Sequence, residues 1–161
     1  MSKTTSYDSS LSLVKACDLE DKEVCGFYFL YEGKPHIKIP DIPWKNVHIN
    51  PYTVCRNTGI KIGDSYLYEN DIVSYFEPMR ATKLYGYIDF DDFYRCYVVR
   101  TGIEQRATRL LKDCSKIEIT GRNIFLNDED FIWFAEWEKS KFEESKSHVI
   151  DNSYCPSKFR R

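Results

Sequence analysis

The chain has 161 residues, a length at which one domain with one hydrophobic core is expected. Its 23 Lys and Arg against 25 Asp and Glu give a net charge of −2, which excludes both a basic nucleic-acid-binding arm and a polyacidic nucleic-acid mimic. The 7 Gly and 6 Pro exclude a collagen-like or low-complexity chain, and 16% aromatic residues favour sheets.

The N-terminal residues 1–12 are polar and predict a disordered lead. No apolar run approaches the ~20 residues of a membrane span, so we expect no membrane association and a cytoplasmic protein. The six cysteines are then expected to be reduced. Because no cysteine pair has C-x2-C spacing and the three histidines are scattered, the sequence predicts no metal site and no cofactor.

The first third of the chain predicts strands separated by turns. Residues 24–32 are aromatic and β-branched and end at a Gly-Lys-Pro turn over 33–35, after which 36–39 forms a return strand. Repeated prolines predict a loop over 40–51, with one extended piece at 44–49.

A strand–turn–strand pattern follows from residue 52 onward. The expected strands are Tyr52–Arg56, Tyr66–Tyr68, Ile72–Phe76, Leu84–Phe90, Phe93–Arg100, Lys116–Thr120 and Asn123–Leu126. The clearest hairpin joins Leu84–Phe90 to Phe93–Arg100 through Asp91 and Asp92. Residues 103–114 carry helix formers, although this segment also fits a strand that ends at Leu111.

The clearest helix covers residues 128–145. Asn127 is a favourable N-cap, and three acidic residues in the first turn complement the helix dipole. Helical spacing predicts an inward stripe of Phe131, Phe134, Ala135 and Phe142. Residues 146–161 predict a flexible tail.

Two motifs resemble those of a known family. Residues 58–60 (TGI) followed by 68–73 (YENDIV) resemble the signature of the YopX family of phage and prophage proteins, in which TGL precedes YEGDIV. Residues 118–121 and 123–127 resemble the EVIGNIYEN ending of that family, and 86–90 fits its intervening strand. The resemblance implies a compact β-barrel with helical additions, sometimes assembled into oligomers, and it implies no particular chemistry.

The motifs also have a physical interpretation. Asn70 stands where the family has glycine, and asparagine tolerates the positive φ that such a turn requires. The sequence departs from the family pattern at Arg122, which is inserted, and at Asp128, where proline is usual. We therefore predict a mainly β (α+β) protein: a single small YopX-like β-barrel domain over 13–145, with the C-terminal helix as its own addition.

The sharpest candidate site is on this helix. Trp133 and Trp137 are spaced i and i+4 and flanked by Glu136 and Glu138, a pattern that fits a protein-binding patch or, alternatively, two core indoles. If the indoles are exposed, we expect a phage-type binding protein that modulates a host or defence-system protein, one form of which is inhibition of a defence nuclease.

Two other functions are open. Arg95, Tyr97 and Arg100 fit a nucleic-acid-binding strand or an ordinary outer sheet face. Open sheet edges would suit a self-assembling structural protein. The carboxylates of Asp89, Asp91 and Asp92 suit either a divalent cation or a hairpin turn, of which the turn is favoured. No catalytic motif is present, so we expect no enzyme and no catalytic residues.

Overall fold

The computed structural model describes residues 13–40, 42, 45–103 and 106–154, with the backbone alone from residue 142 onward. The strands are β1 (Leu13–Cys17), β2 (Glu23–Tyr31), β3 (Lys34–Lys38), β4 (Asn46–His48), β5 (Cys55–Ile62), β6 (Ser65–Tyr68), β7 (Asp71–Phe76), β8 (Lys83–Asp91), β9 (Cys96–Thr101), β10 (Ala107–Leu110) and β11 (Ser115–Asn123). Short 3₁₀ turns lie at Pro51–Thr53 and Leu111–Asp113, and helix α1 covers Asp128–Tyr154.

The strands form two antiparallel sheets rather than a closed barrel. The first sheet has the order β4-β3-β2-β1-β5-β6 and the second has the order β10-β9-β8-β7-β11. The prediction of a mainly β protein with a C-terminal helix is confirmed, but the closed barrel is wrong, because each sheet keeps two edge strands within the described residues. Pairings between distant strands, β1 with β5 and β7 with β11, set this arrangement.

The turn between β6 and β7 connects the two sheets. Asn70 has a φ of 72°, as expected from its position in the motif. Its backbone N–H donates to the Ile88 carbonyl at 2.7 Å, and its own carbonyl accepts from the Ile124 N–H at 2.9 Å. Asn70, in the left-handed conformation, is therefore hydrogen-bonded to β8 on one side and to the residue after β11 on the other. This conformation explains why the turn favours Gly or Asn.

A buried polar cluster joins the same two motifs. The Asp71 side chain is 1% exposed, and its Oδ1 lies 2.9 Å from Lys15 Nζ and accepts from Asn123 Nδ2 at 3.1 Å. Asp71 Oδ2 accepts from the Tyr68 N–H at 2.9 Å. Since Lys15 belongs to the first sheet and Asn123 to the second, this charge cluster connects the two sheets and fixes the position of one sheet relative to the other.

The second sheet is covered on both sides. One side packs Tyr75, Ile88 and Val99 into a core, whereas the other side receives α1, whose Phe134 is fully buried. The predicted inward stripe is therefore only partly right: Phe131 is 44% exposed, Ala135 is half-buried, and the Phe142 side chain lies outside the described ones.

Several boundaries differ from the prediction. The strand expected over 93–100 begins at Cys96, and β11 replaces two short strands. The segment 103–114 contains strand β10 rather than a helix, in line with the alternative of a strand that ends at Leu111. Helix α1 ends at Tyr154 rather than 145, so residues 146–154, predicted as tail, are helical. The predicted lead 1–12 and the rest of the tail lie outside the described residues. Within the described part of the chain, no helix combines the length and apolarity needed to cross a lipid bilayer.

Candidate nucleic-acid interface

One side of the first sheet carries aromatic, basic and amide side chains on three neighbouring strands. Side chains alternate along a strand, so every second residue of β3, of β4 and of the part of β2 from Phe27 to Tyr31 lies on this side. We call this surface the ring face. Its residues are Phe27, Phe29, Tyr31, Lys34, His36, Lys38, Asn46 and His48.

The strand register arranges the ring face in three rows, about 6.7 Å apart because neighbouring rows are two residues apart on each strand. Row one contains Phe27, Lys38 and Asn46, row two contains Phe29, His36 and His48, and row three contains Tyr31 and Lys34. Each row thus combines at least one aromatic ring with a nitrogen-bearing side chain.

Two glycines allow β2 and β3 to pair in this register. Glu32 and Gly33 have φ angles of 54° and 78°, which make a two-residue hairpin turn of the kind whose twist matches the strands. At Gly26, a Cβ atom would lie 2.3 Å from the Lys38 carbonyl oxygen, so the close approach beside row one requires glycine.

The rings of rows two and three contact one another. His36 and His48 stack with centroids 4.8 Å apart and an interplanar angle of 12°. Phe29 and Tyr31 contact His36 at centroid distances of 5.6 and 5.7 Å, the latter edge to face. Tyr31 is 58% exposed and the other three rings are half-buried, so solvent reaches part of each ring.

The charge on the ring face is positive. Lys34 and Lys38 are exposed, and neither forms an ion pair with any residue that the structure describes. The three rows contain no carboxylate. A shallow groove of about 370 Å³ lies between Phe27, Phe29, Lys38 and Asn46. The arrangement can stack planar rings and attract anions at the same time.

The predicted tryptophan patch lies against the second sheet. Trp133 and Trp137 are half-buried, and each packs edge to face on Tyr85, with centroids 4.9 and 5.2 Å apart. Glu138 accepts hydrogen bonds from the backbone N–H groups of Gly102 and Ile103. Burial raises the pKa of Glu138, and these two bonds oppose the rise.

Of the four predicted patch residues, Glu136 is the exposed one. The indoles of Trp133 and Trp137 therefore attach the helix to its sheet, which is the core alternative for this pair. The Arg122 guanidinium, 4.4 Å from the Trp133 ring centroid, covers part of the first indole.

The predicted basic strand residues do not converge. Arg95 lies in the β8–β9 turn with a φ of 59°, so it does not share a strand face with Tyr97. Tyr97 and Arg100 are three residues apart on β9 and point to opposite sides of the sheet. Tyr97 donates to Glu69 at 2.9 Å, and burial followed by this bond raises its pKa to about 12.

The acidic cluster is part of the hairpin. Arg100 Nε lies 3.0 Å from the Asp89 carboxylate, and Arg100 Nη1 lies 3.0 Å from the Asp91 carboxylate. These two carboxylates neutralise the charge of the Arg100 guanidinium. Asp91 Oδ1 also accepts from the N–H groups of Phe93 and Tyr94 at 2.9 Å, and these bonds, the one from Tyr94 first, lower the pKa of Asp91. Among the described residues, no group of three His, Cys, Asp or Glu side chains could hold a metal ion.

No protein-family model, curated protein or solved structure matches this chain. The resemblance to the YopX family therefore stays a prediction from the two motifs. What the structure adds is that Asp71 of one motif and Asn123 of the other hydrogen-bond to each other.

The sequence interpretation missed the ring face, although it predicted strands at β2 and β3 and an extended piece, within a loop, at β4. The signal was present in residues 27–31, where every second residue is aromatic, and in 34–38, where every second residue is basic. The stacking of His36 on His48 could not be predicted from spacing, because a proline-containing loop separates the two strands.

Proposed function

We propose that the protein is a non-enzymatic binding protein that holds single-stranded nucleic acid on the ring face. The observation that carries this proposal is the alignment of solvent-accessible rings in three successive rows of one sheet, with Lys38 in row one and Lys34 in row three, neither of which has an ion-pair partner among the described residues. Nucleobases stack on aromatic rings, and lysines contact the phosphates that follow the same strand.

A single strand is favoured over a duplex because stacking on a flat sheet needs bases that are not already paired. The overall charge of −2 gives little long-range attraction, so stacking supplies most of the affinity. With Lys34 and Lys38 as the phosphate contacts, the slope of log K against log salt should be about −1.4.

Fluorescence anisotropy with a labelled 12-nucleotide DNA strand, titrated against the full chain at several salt concentrations, tests the proposal. Tyr31→Ala removes one stacking ring and is expected to weaken binding roughly tenfold. Lys38→Ala should make the salt slope less steep by about 0.7. Matched controls are Tyr94→Ala, an exposed tyrosine of the β8–β9 turn, and Lys112→Ala, an exposed lysine of a 3₁₀ turn.

Three results would contradict the proposal. The first is the absence of binding to any single strand at low salt, and the second is an equal loss of affinity in the ring-face variants and their controls. Binding of an acidic protein or peptide instead, with the same dependence on Tyr31 and Lys38, would also replace nucleic acid as the occupant.

A protein partner is the second candidate, and the tip of the β8–β9 hairpin favours it. Phe93 is 83% exposed, and the turn that presents it is held by Asp91, so an apolar anchor is preorganised for a pocket on another protein. A host or defence-system protein as that partner stays a prediction. Capture of the same partner by wild type and Tyr52→Ser, but not by Phe93→Ser, would support this candidate.

A further inference from the structure

We propose that strand β3 carries a phosphate track, formed by Lys34, His36 and Lys38, in which His36 binds a phosphate only when its imidazole is protonated. This inference rests on the proposed function, because it divides the ring face between the bases and the phosphates of the bound strand. It makes a proton part of the binding reaction, so the affinity for a single strand should depend on pH where lysine contacts alone do not.

The three nitrogen-bearing side chains of β3 stand in one line. They are alternate residues on the same side of the strand, so neighbouring side chains begin about 6.7 Å apart. The register places one aromatic ring of β2 opposite each of them, in the pairs Lys34 with Tyr31, His36 with Phe29 and Lys38 with Phe27. Bases stacked on the β2 rings would therefore place successive phosphates along β3.

A hydrogen bond of His36 decides which of its nitrogens gains or loses a proton. Nδ1 lies 3.0 Å from the Lys34 carbonyl oxygen, and because a carbonyl oxygen only accepts, Nδ1 carries the hydrogen. Nε2 is then an acceptor in the neutral ring, and the free oxygens of a phosphodiester are acceptors as well. Protonation turns Nε2 into the donor of a charge-assisted hydrogen bond, so a phosphate contact here requires the imidazolium.

The neighbours of His36 leave this proton to the bound strand. The titratable side chains that face His36 are Tyr31 of β2, Lys34 and Lys38 of β3 and His48 of β4. Tyrosine and lysine side chains ordinarily titrate at about pH 10, so the histidines are the ring-face groups that change charge between pH 5.5 and pH 8. Since two imidazolium charges stacked 4.8 Å apart repel each other, we expect one proton per bound strand.

The test is fluorescence anisotropy of the full chain with a labelled 12-nucleotide thymidine strand at pH 8 and pH 5.5, since thymine does not titrate between these values. The wild type should bind about tenfold more tightly at pH 5.5, because one charge-assisted hydrogen bond is added. The slope of log K against log salt should change from about −1.4 to about −2.1, as three phosphates are contacted instead of two. His148→Gln, which removes the histidine of α1, is the matched control and should retain both changes.

Three variants separate a phosphate contact from a stacking or structural role. His36→Phe keeps a ring in row two but cannot be protonated, so its affinity should be the same at both pH values. His48→Phe should retain the pH response, because His48 lies on β4, beside the line of the phosphate track. His36→Lys supplies a permanent cation, so it should bind with a slope of about −2.1 at both pH values.

The outcomes distinguish this inference from the proposed function. Equal affinity of the wild type at the two pH values, or a pH response that survives in His36→Phe or disappears in His48→Phe, would overturn the role of His36 and leave the proposed function standing. Failure of the thymidine strand to bind at either pH would overturn both.

Discussion

Replacing Lys15 by methionine tests whether the buried cluster holds the two sheets together. Asp71 is 1% exposed and Lys15 is 16% exposed, and their charged atoms lie 2.9 Å apart. The variant leaves the carboxylate with hydrogen bonds from Tyr68 and Asn123 but no countercharge. Breaking a buried pair on one side costs 3–5 kcal/mol, and the partial exposure of Lys15 places this case near the lower end, about 3 kcal/mol.

Urea denaturation measures this loss as a lower midpoint with an unchanged m value, and a thermal scan should show a fall of about 9 °C for a domain of this size. Lys22→Met is the matched control, since its pair with Glu20 spans 3.9 Å and both side chains are more than 75% exposed. It should cost less than about 0.5 kcal/mol.

The double variant Lys15→Met/Asp71→Asn identifies the cause of the loss. It leaves no buried charge, so it should be more stable than Lys15→Met alone by at least about 1 kcal/mol. Equal losses in Lys15→Met and the control Lys22→Met would refute the reasoning, because the cluster would then behave as an exposed ion pair. A double variant less stable than Lys15→Met would show that the charge itself is not the source of the cost.

Three further predictions concern packing and the thiols. In the same urea experiment, Phe134→Ala should lower the free energy of unfolding by about 3–5 kcal/mol, because Phe134 is fully buried. Phe131→Ala should lower it by less than about 1 kcal/mol, because Phe131 is 44% exposed. Gly26→Ala should cost about 2–3 kcal/mol, since its Cβ would meet a β3 carbonyl oxygen at 2.3 Å; wild-type stability would contradict the register. Iodoacetamide at pH 8, followed by mass spectrometry, should alkylate the exposed Cys25 and spare the buried Cys55. Burial raises the pKa of the Cys55 thiol from 9.0 to about 11. Because that folded pKa lies above the unfolded one, the stability linked to Cys55 is intact below pH 9 and declines as the pH rises through 11.

Local signals in the sequence predicted the elements well and their assembly poorly. The hairpins and the helix start follow from turn residues and from the Asn127 cap, which accepts from the Glu129 N–H at 2.9 Å. The pairing of β1 with β5 and of β7 with β11 joins segments that are distant in sequence, and Lys15, Asp71 and Asn123, also far apart in the chain, contact one another in the fold. No local pattern indicates that three such polar residues will be buried together.

The candidate site shows the same limit. Trp133 and Trp137 are separated by one helical turn, and this spacing alone cannot show whether a sheet covers them. In the structure, Tyr85 of β8 packs against both indoles. Alternation predicts that Arg95 lies in a strand, but the Asp91 side chain accepts hydrogen bonds from two backbone N–H groups and holds a wider turn there. In both cases a long-range or side-chain-to-backbone contact overrides the local periodicity.

The distribution of apolar burial explains why the ring face can bind without being needed for folding. The opposite side of the first sheet buries Val14, Ile37 and Ile49 in its own cluster, and the second sheet has a core on one side and α1 on the other. None of these three clusters includes a ring-face side chain. Tyr31→Ala should therefore change the free energy of unfolding by less than about 0.5 kcal/mol while it weakens binding roughly tenfold, which separates recognition from stability in one variant.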